Sequence, residues 1–319
     1  MPQPTSSVTF SRREKARLRL ASQGLTIRRW ESAEDVARAF GVMQGQDLHS
    51  VRRSLSLRAK DHSDAENIVR GYPMRNTLFA ASIKDIGWIT ELCAKGRKGD
   101  TELRAEVNKL IGRPLSRAEL KERAATALPG VPFWHVVRVA MESGHAVYSG
   151  ADQLITPVDL PGLEETFNGD KVAATAELMT RYFRTHGPAT LRDFAWWAKL
   201  PQRLIRPAAE NLAPDIVRCG EDSQDLVSAE IVEMADARKK QSVLLLGAFD
   251  EYILGYQDRL FAMTKEVHEV LVPGNRGVFR RAIVVEGQVR GTWNKQTIED
   301  LGMPGYAMRK VQKLWRDAH

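Results

Sequence analysis

The sequence predicts an α+β fold: tandem helix-turn-helix units, each closed by a β-hairpin, followed by a C-terminal β-containing region. Three observations carry that expectation. Two helical runs near the N-terminus meet at Gln44-Gly45-Gln46-Asp47; helical runs followed by hairpin signals recur twice further on; and the last quarter changes to buried-strand runs. At 319 residues the chain exceeds the size at which a single core usually divides, so more than one folding unit is expected.

In order along the chain, Ser11 to Leu20 reads as a short basic helix. Ser32 is an N-cap with Glu34 and Asp35 in the first turn, and Val36, Ala39 and Phe40 fall at helical spacing, which predicts a helix from near Ala33 to about Met43. Gly45 supplies the freedom to turn, and Asp47 caps a second helix from Leu48 to about Arg58. From Asn67 to Ala81, β-prone residues flank Gly71-Tyr72-Pro73, which predicts a strand pair. Helices followed by a hairpin wing make the winged-helix plan, assigned here to residues 11–110.

A second unit, 111–160, opens with Ser116 and Glu119 at capping-box spacing. It continues through the helical run Trp134 to Met141 and ends in a hairpin, Ala146-Val147-Tyr148 and Gln153-Leu154-Ile155-Thr156 around Ser149-Gly150-Ala151-Asp152. The third unit, 170–235, has a long helix from Ala173 to His186, a stop at Gly187-Pro188, a Thr190-capped helix, and a further helix after Pro201. Strands at Ile216–Cys219 and Leu226–Ser228 close it. The plan repeats while the letters do not, since no fixed-period repeat is present. Region 240–319 holds a buried strand at Ser242–Leu246, a hairpin over Ala282–Trp293 turning near Glu286-Gly287, and a closing helix from about Tyr306 to Trp315. The Met308, Val311, Leu314 and Trp315 stripe of that helix is expected to face the core.

Lys and Arg outnumber Asp and Glu by 47 to 40, giving a formal charge of +7, which favours an acidic partner such as duplex DNA. A merely soluble basic protein has the same balance. Cys93 and Cys219 form no Cys-x-x-Cys pair and the 7 histidines show no ligand spacing, so neither a disulfide framework, a metal nor a cofactor is expected. No apolar run approaches the roughly 18 residues of a membrane helix, and the first residues lack a signal-peptide core. A cytoplasmic monomer is the expectation.

The candidate chemistry starts at the hinge. Glutamines at i and i+2 face the same way only where the chain is extended or turning, and convergent amides at Gln44 and Gln46 can hold a water between them. Two solvated turn glutamines are the plainer alternative. Arg52, Arg53 and Arg58 on the helix after the hinge are placed to meet phosphates or base edges, or else form a solvated face. Arg70 and Arg75 flank the first hairpin, and Arg276, Arg280, Arg281 and Arg290 the last. A base stacks on an exposed indole such as Trp293 for roughly 1–3 kcal/mol; the alternative is a buried tryptophan at a strand end. The run Phe249 to Arg259 combines Asp250, Glu251 and Asp258 with an arginine. Its carboxylates suit acid–base work, or Asp258–Arg259 is a structural ion pair.

Four of these stretches, Gln44-Gly45-Gln46-Asp47, Met74-Arg75-Asn76-Thr77-Leu78, Phe249-Asp250 to Asp258-Arg259, and Gly291-Thr292-Trp293, keep an order and spacing over roughly residues 12–295. Together the chain resembles the winged-helix DNA-binding family that contains the AlkZ-like bacterial DNA glycosylases. The resemblance implies winged-helix units curved around duplex DNA, with Gln44 and Gln46 as catalytic residues in the channel. The candidate DNA contacts are then Arg52 and Arg53 on the helix after the hinge, Arg280 and Arg281 around the last hairpin, and Arg75, Arg259 and Trp293 within the matched stretches. The implied reaction is hydrolysis of the N-glycosidic bond of alkylated bases, including bulky or crosslinked ones. No lysine sits in the matched motif to form a Schiff base, so the implied enzyme is monofunctional. Two departures stand out: Gly45 replaces the family's central aliphatic, and Arg75-Asn76-Thr77-Leu78-Phe79 replaces Arg-Gly-Thr-Leu-His. A non-catalytic winged-helix DNA-binding protein is the alternative they leave open.

Overall fold

Side-chain caps start the helices that frame the hinge. The computed structural model describes residues 9–27, 29–61, 65–93, 100–220, 224–234 and 242–318. Ser11 and Glu14 form a capping box at the head of α1 (Arg12–Ser22), and Ser32 with Asp35 forms another at α2 (Ala33–Phe40). The expected extension of this second helix to Met43 is corrected. It stops because Gly41 takes a φ of 74°, open to glycine at little cost, and Met43–Gln44 then form a strand, β1. Asp47 accepts the Ser50 N–H at the start of α3 (Leu48–Arg58), as expected. The hinge is therefore the end of a strand running into a helix, and not a glycine turn between two helices.

β2 (Ile68–Met74) and β3 (Thr77–Ser82) form the expected strand pair, but the expected break at Gly71-Tyr72-Pro73 is corrected: those residues lie inside β2, and the chain turns through Arg75 and Asn76 at φ 56° and 51°. Positive φ at both central residues suits a two-residue hairpin, and asparagine tolerates it where the family pattern has glycine. α4 (Ile86–Cys93) follows. The second hairpin, β4 (Ala146–Ser149) and β5 (Leu154–Pro157), joins the first where Arg70 pairs with Tyr148. The result is one antiparallel sheet in the order β1-β3-β2-β4-β5. α6 (Arg117–Ala127), with its expected Ser116–Glu119 capping box, and α7 (Phe133–Glu142) pack on the second half of this sheet. They are joined there by α5 (Asp100–Leu110), which the sequence reading did not assign and which buries Val107 beside Leu103 and Leu110.

After α8 (Leu163–Phe167), the helix α9 (Lys171–His186) runs through the middle of the molecule, packing against α1, α2, α4 and α8. Ala174, Leu178 and Tyr182, and Thr175, Met179 and Phe183, are all buried, so it is apolar on more than one face and belongs inside. A three-stranded sheet in the order β6-β8-β7 carries β6 (Ala189–Thr190), β7 (Ile216–Cys219) and β8 (Asp225–Ser228). With it go α10 (Leu191–Ala198), capped by Thr190 as expected, α11 (Gln202–Glu210) and α12 (Ala229–Glu233).

The last sheet, ordered β12-β11-β10-β9, comprises β9 (Val243–Leu245), β10 (Arg281–Val285), β11 (Gln288–Trp293) and β12 (Ile298–Asp300). Its hairpin turns at Glu286 and Gly287, φ 49° and 81°. Between β9 and β10 lie α13 (Glu251–Leu254) and α14 (Lys265–Leu271). The closing helix α15 (Gly305–Asp317) buries Val311 and rests Leu314 and Trp315 on the sheet.

Trp293 sits in that core, only 5% exposed, its indole N–H donating to Leu246 O at 2.8 Å. Of the two readings the sequence left open, the structure shows the buried tryptophan at a strand end and corrects the stacking platform for a base: the ring belongs to the same buried cluster as Val243, Ile283 and Val311. Trp293→Ala is accordingly expected to cost about 3–5 kcal/mol of stability as a core truncation. The measurement is a urea midpoint, and an unchanged midpoint contradicts the burial.

Candidate functional site

The site begins with the backbone of the hinge. Gln44 lies opposite Phe79 at the end of β1, and the Gly45 N–H donates to Leu78 O at 2.9 Å. Arg70, steadied by Gln153 at 2.6 Å, donates to Gly45 O at 2.7 Å. A Cβ at position 45 would lie 2.6 Å from the Phe79 carbonyl carbon, so β3 leaves room for glycine alone. Gly45→Ala is expected to destabilise the fold by about 1–3 kcal/mol, since a backbone must shift to admit the methyl. Equal urea midpoints for the two proteins would contradict this.

Held this way, the two glutamines converge. Gln46 Nε2 donates to Gln44 Oε1 at 2.9 Å. The expectation of a water lodged between the amides is corrected, because a direct bond of that length leaves no gap. Gln44 is buried and its Nε2 has no hydrogen-bond partner, whereas Gln46 is exposed. The pair therefore leaves both N–H groups of Gln44 Nε2 without a partner and the Gln46 carbonyl oxygen as an acceptor.

Behind Gln44 stands Glu251, which sequence reasoning had placed only in a carboxylate-rich run. Its Oε1 accepts the Gln44 backbone N–H at 2.7 Å, and its Oε2 lies 3.4 Å from Trp197 Nε1 and 3.5 Å from His186 Nε2. His186 is fully buried against Tyr182, with ring centroids 4.4 Å apart. Burial pushes its pKa below the usual histidine value against the opposing pull of Glu251. Asp250, the other carboxylate of the supposed acid–base pair, is bound at both oxygens by Arg58, at 2.8 and 3.0 Å, and accepts from Ser54 at 2.8 Å. Both partners are wholly buried, so Arg58 is not available to DNA and Asp250 is structural.

The remaining arginines of α3 divide by burial. Arg52 is exposed. Arg53 donates to Leu245 O at 2.7 Å and lies 4.9 Å over Trp293; burial, then the nearby Arg281 charge, lower its pKa. Arg281 lies 5.0 Å over the same ring, and exposed Arg280 pairs with Glu299 at 3.3 Å. Arg280, Arg281 and Trp293 border an open cleft of about 980 Å³ that also meets Asp47, Phe249, Phe279 and Lys295. The cleft thus brings the hinge and the last hairpin onto one surface.

Arg75 and Arg259 lie together at Trp196, which sequence reasoning did not single out. Their guanidinium carbons are 5.7 and 5.4 Å from its ring centre, and Lys199 Nζ is at 5.5 Å. Arg75 also covers Phe79 at 5.1 Å, and Arg259 covers Phe279 at 5.0 Å. Among the described residues Asp258 and Arg259 form no ion pair; Asp258 accepts the Leu260 N–H at 2.8 Å and shapes a turn instead. No group of His, Cys, Asp and Glu among the described residues is arranged to hold a metal, and no described helix is long and apolar enough to cross a membrane.

The fold is similar to that of Streptomyces sahachiroi DNA glycosylase AlkZ, with a TM-score of 0.76 over 98% of this chain and 97% of that chain at 19% identity. At that identity the likeness is one of fold. No curated protein matches the sequence. The family described as DNA glycosylase AlkZ-like matches residues 37–299, a span that contains the glutamine pair, the Trp196 cluster and the last hairpin. On that match the chain belongs to the AlkZ-like DNA glycosylase family.

Proposed function

We propose that the protein is a monofunctional glycosylase that hydrolyses the N-glycosidic bond of alkylated bases in duplex DNA, with Gln44 and Gln46 positioning the water. The observation that carries this reading is the convergence of the two amides, 2.9 Å apart, beside an open, basic cleft. In this reading the helix–strand–helix–hairpin segments act as winged-helix units spanning 11–110, 111–160 and 170–235, with 240–319 as the last hairpin region. Duplex DNA runs along the surface that Arg52, Arg75, Arg259, Arg280 and Arg281 line, while Arg53 and Trp293 support it from beneath.

The chemistry asks little of the protein. N-alkylation puts positive charge on a purine, so the bond from C1′ to the base nitrogen breaks with its electron pair going to the base, which leaves neutral. The sugar becomes oxocarbenium-like, a water adds at C1′, and its surplus proton passes to solvent. The Gln46 carbonyl and the Gln44 amide orient that water, and the gain comes from fixed position and fixed dipoles. A cleft as open as this one accommodates a bulky or crosslinked base in place, which a closed base-flipping pocket does not.

The test is single-turnover release of 7-methylguanine and of a larger N7 adduct from duplex DNA, with abasic product scored. Release by the native protein is expected. Salt-sensitive DNA binding without any abasic product would instead favour a non-catalytic DNA-binding protein.

A further inference from the structure

Three cations surround one indole. Arg75 comes from the β2–β3 turn, Lys199 from the end of α10 and Arg259 from the segment after α13, and each lies within 5.7 Å of the Trp196 ring centre or closer. Several buried or half-buried arginines of this protein meet a carboxylate: Arg58 pairs with Asp250, Arg181 with Asp85, Arg184 with Asp215. None of the three cations at Trp196 does so among the described residues, and the Nε atoms of Arg75 and Arg259 are buried without a hydrogen-bond partner.

Like charges gathered this way repel, and burial adds to the cost. Burial lowers the pKa of both arginines; for Arg259 the Arg75 charge lowers it further, while for Arg75 the charge of Glu251 works against the shift. Arg75 moreover holds a φ of 56°, uncommon for a long side chain, and such backbone is kept where the surroundings enforce it. Rings on either side limit where the guanidiniums can go: Phe79 beneath Arg75 and Phe279 beneath Arg259. Rigid, half-buried guanidinium forks with no carboxylate paired to them match the planar, two-oxygen recognition of a phosphate better than flexible surface lysines do.

We propose that Arg75 and Arg259, with Lys199 beside them, grip one backbone phosphate of the strand whose base lies at the glutamine pair, on a floor formed by Trp196. The placement follows from the sheet: Phe79, which carries Arg75, is the strand partner of Gln44. The grip rests on the reading that DNA crosses the glutamine pair. It adds a specific phosphate, and thereby a register, to that reading. Sequence-independent phosphate contacts set position along a duplex, and here they set which sugar meets the glutamines.

The experiment uses duplex DNA carrying a single tetrahydrofuran abasic analogue, which has no glycosidic bond to hydrolyse, so binding is read without turnover. A neutral methylphosphonate is moved one position at a time along the damaged strand. With the native protein, one position beside the analogue is expected to lower affinity about tenfold, beyond the small losses elsewhere. In Arg75→Gln/Arg259→Gln the affinity for unmodified backbone falls, the salt slope drops by about 0.9 per lost phosphate contact, and that methylphosphonate becomes silent. Arg75→Lys/Arg259→Lys, which retains charge and aliphatic packing, is expected to keep the salt slope while weakening the penalty at that position, and it guards against a folding artefact. The proposal is overturned if every methylphosphonate keeps its native penalty in both variants, or if no position stands out in the native protein. Failure of the glycosylase reading shows differently, as no abasic product from alkylated duplex with the methylphosphonate pattern intact.

Discussion

Gln44→Ala is expected to lower single-turnover excision of an alkylated base by about 10²–10³-fold, the range lost when one preorganised polar group is removed from a reacting centre. The direct bond from Gln46 Nε2 to Gln44 Oε1 makes the two amides one unit. Their losses should therefore not add: Gln46→Ala and the double variant are expected to fall near Gln44→Ala, as groups that act together do. Gln44 is the more constrained member, because its backbone N–H is fixed by Glu251 at 2.7 Å. The readout is excision with enzyme in excess, alongside affinity for the tetrahydrofuran duplex, which is expected to change little. Excision at native rates in both single variants would remove the glutamines from the chemistry even if the native protein proves to be a glycosylase.

A loss of stability as large as that of Trp293→Ala is expected at the Arg58–Asp250 pair. Both side chains are wholly buried, and Asp250 also receives Ser54 O–H and Tyr252 N–H. Removing one partner strands the other charge, so Asp250→Ala or Arg58→Ala is expected to cost about 3–5 kcal/mol. Against a typical net stability of about 5–15 kcal/mol that is a large share. Because much of it is the cost of an orphaned charge, the paired change Arg58→Met/Asp250→Leu is expected to recover most of it. Equal midpoints for the single and paired variants would contradict that account. Asp250 also caps α13, whose first residue is Glu251, so the pair indirectly holds Gln44 in place.

Acid should act on the same region in two stages. His186 has a lowered pKa in the folded protein, chiefly from burial, and an ordinary value of 6.5. The unfolded chain therefore binds the proton first, and stability falls as pH drops below about 6.5 towards the folded value. For Asp250 burial works to raise the pKa, but the Arg58 charge and its hydrogen bonds outweigh it, leaving the net value below the ordinary 3.8. Its contribution is complete above about 3.8 and is lost as pH falls through the folded pKa. Urea midpoints measured from pH 7 to 4 are expected to decline in the native protein and to decline less in His186→Asn.

The sequence by itself determined the elements whose cause lies within a few residues. Ser32, Asp47, Ser116 and Thr190 cap helices by bonds to groups three residues on, so reading three letters ahead sufficed. The hairpin at Glu286-Gly287 was legible for the same local reason, whereas the first hairpin was broken in the wrong place: Gly71-Tyr72-Pro73 runs on inside β2, and the turn falls at Arg75-Asn76. Extending α2 to Met43 failed because a partner strand, β3, remote in sequence, claims Met43 and Gln44. The spacing of Gln44 and Gln46 left convergence and two solvated turn glutamines both open, and nothing in the sequence pointed to the support of Glu251, 207 residues away. Charge meant least in sequence. Arg52, Arg53 and Arg58 look alike on one helix, yet one is exposed, one is tied to Leu245 and one is wholly buried on Asp250. Trp293 and Trp196 are likewise two tryptophans, one in a core and the other carrying three cations drawn from separate parts of the chain. Only the tertiary structure decides such cases, because the role of a charge or a ring depends on which distant groups desolvate it, neutralise it or leave it open, and those neighbours are set by packing.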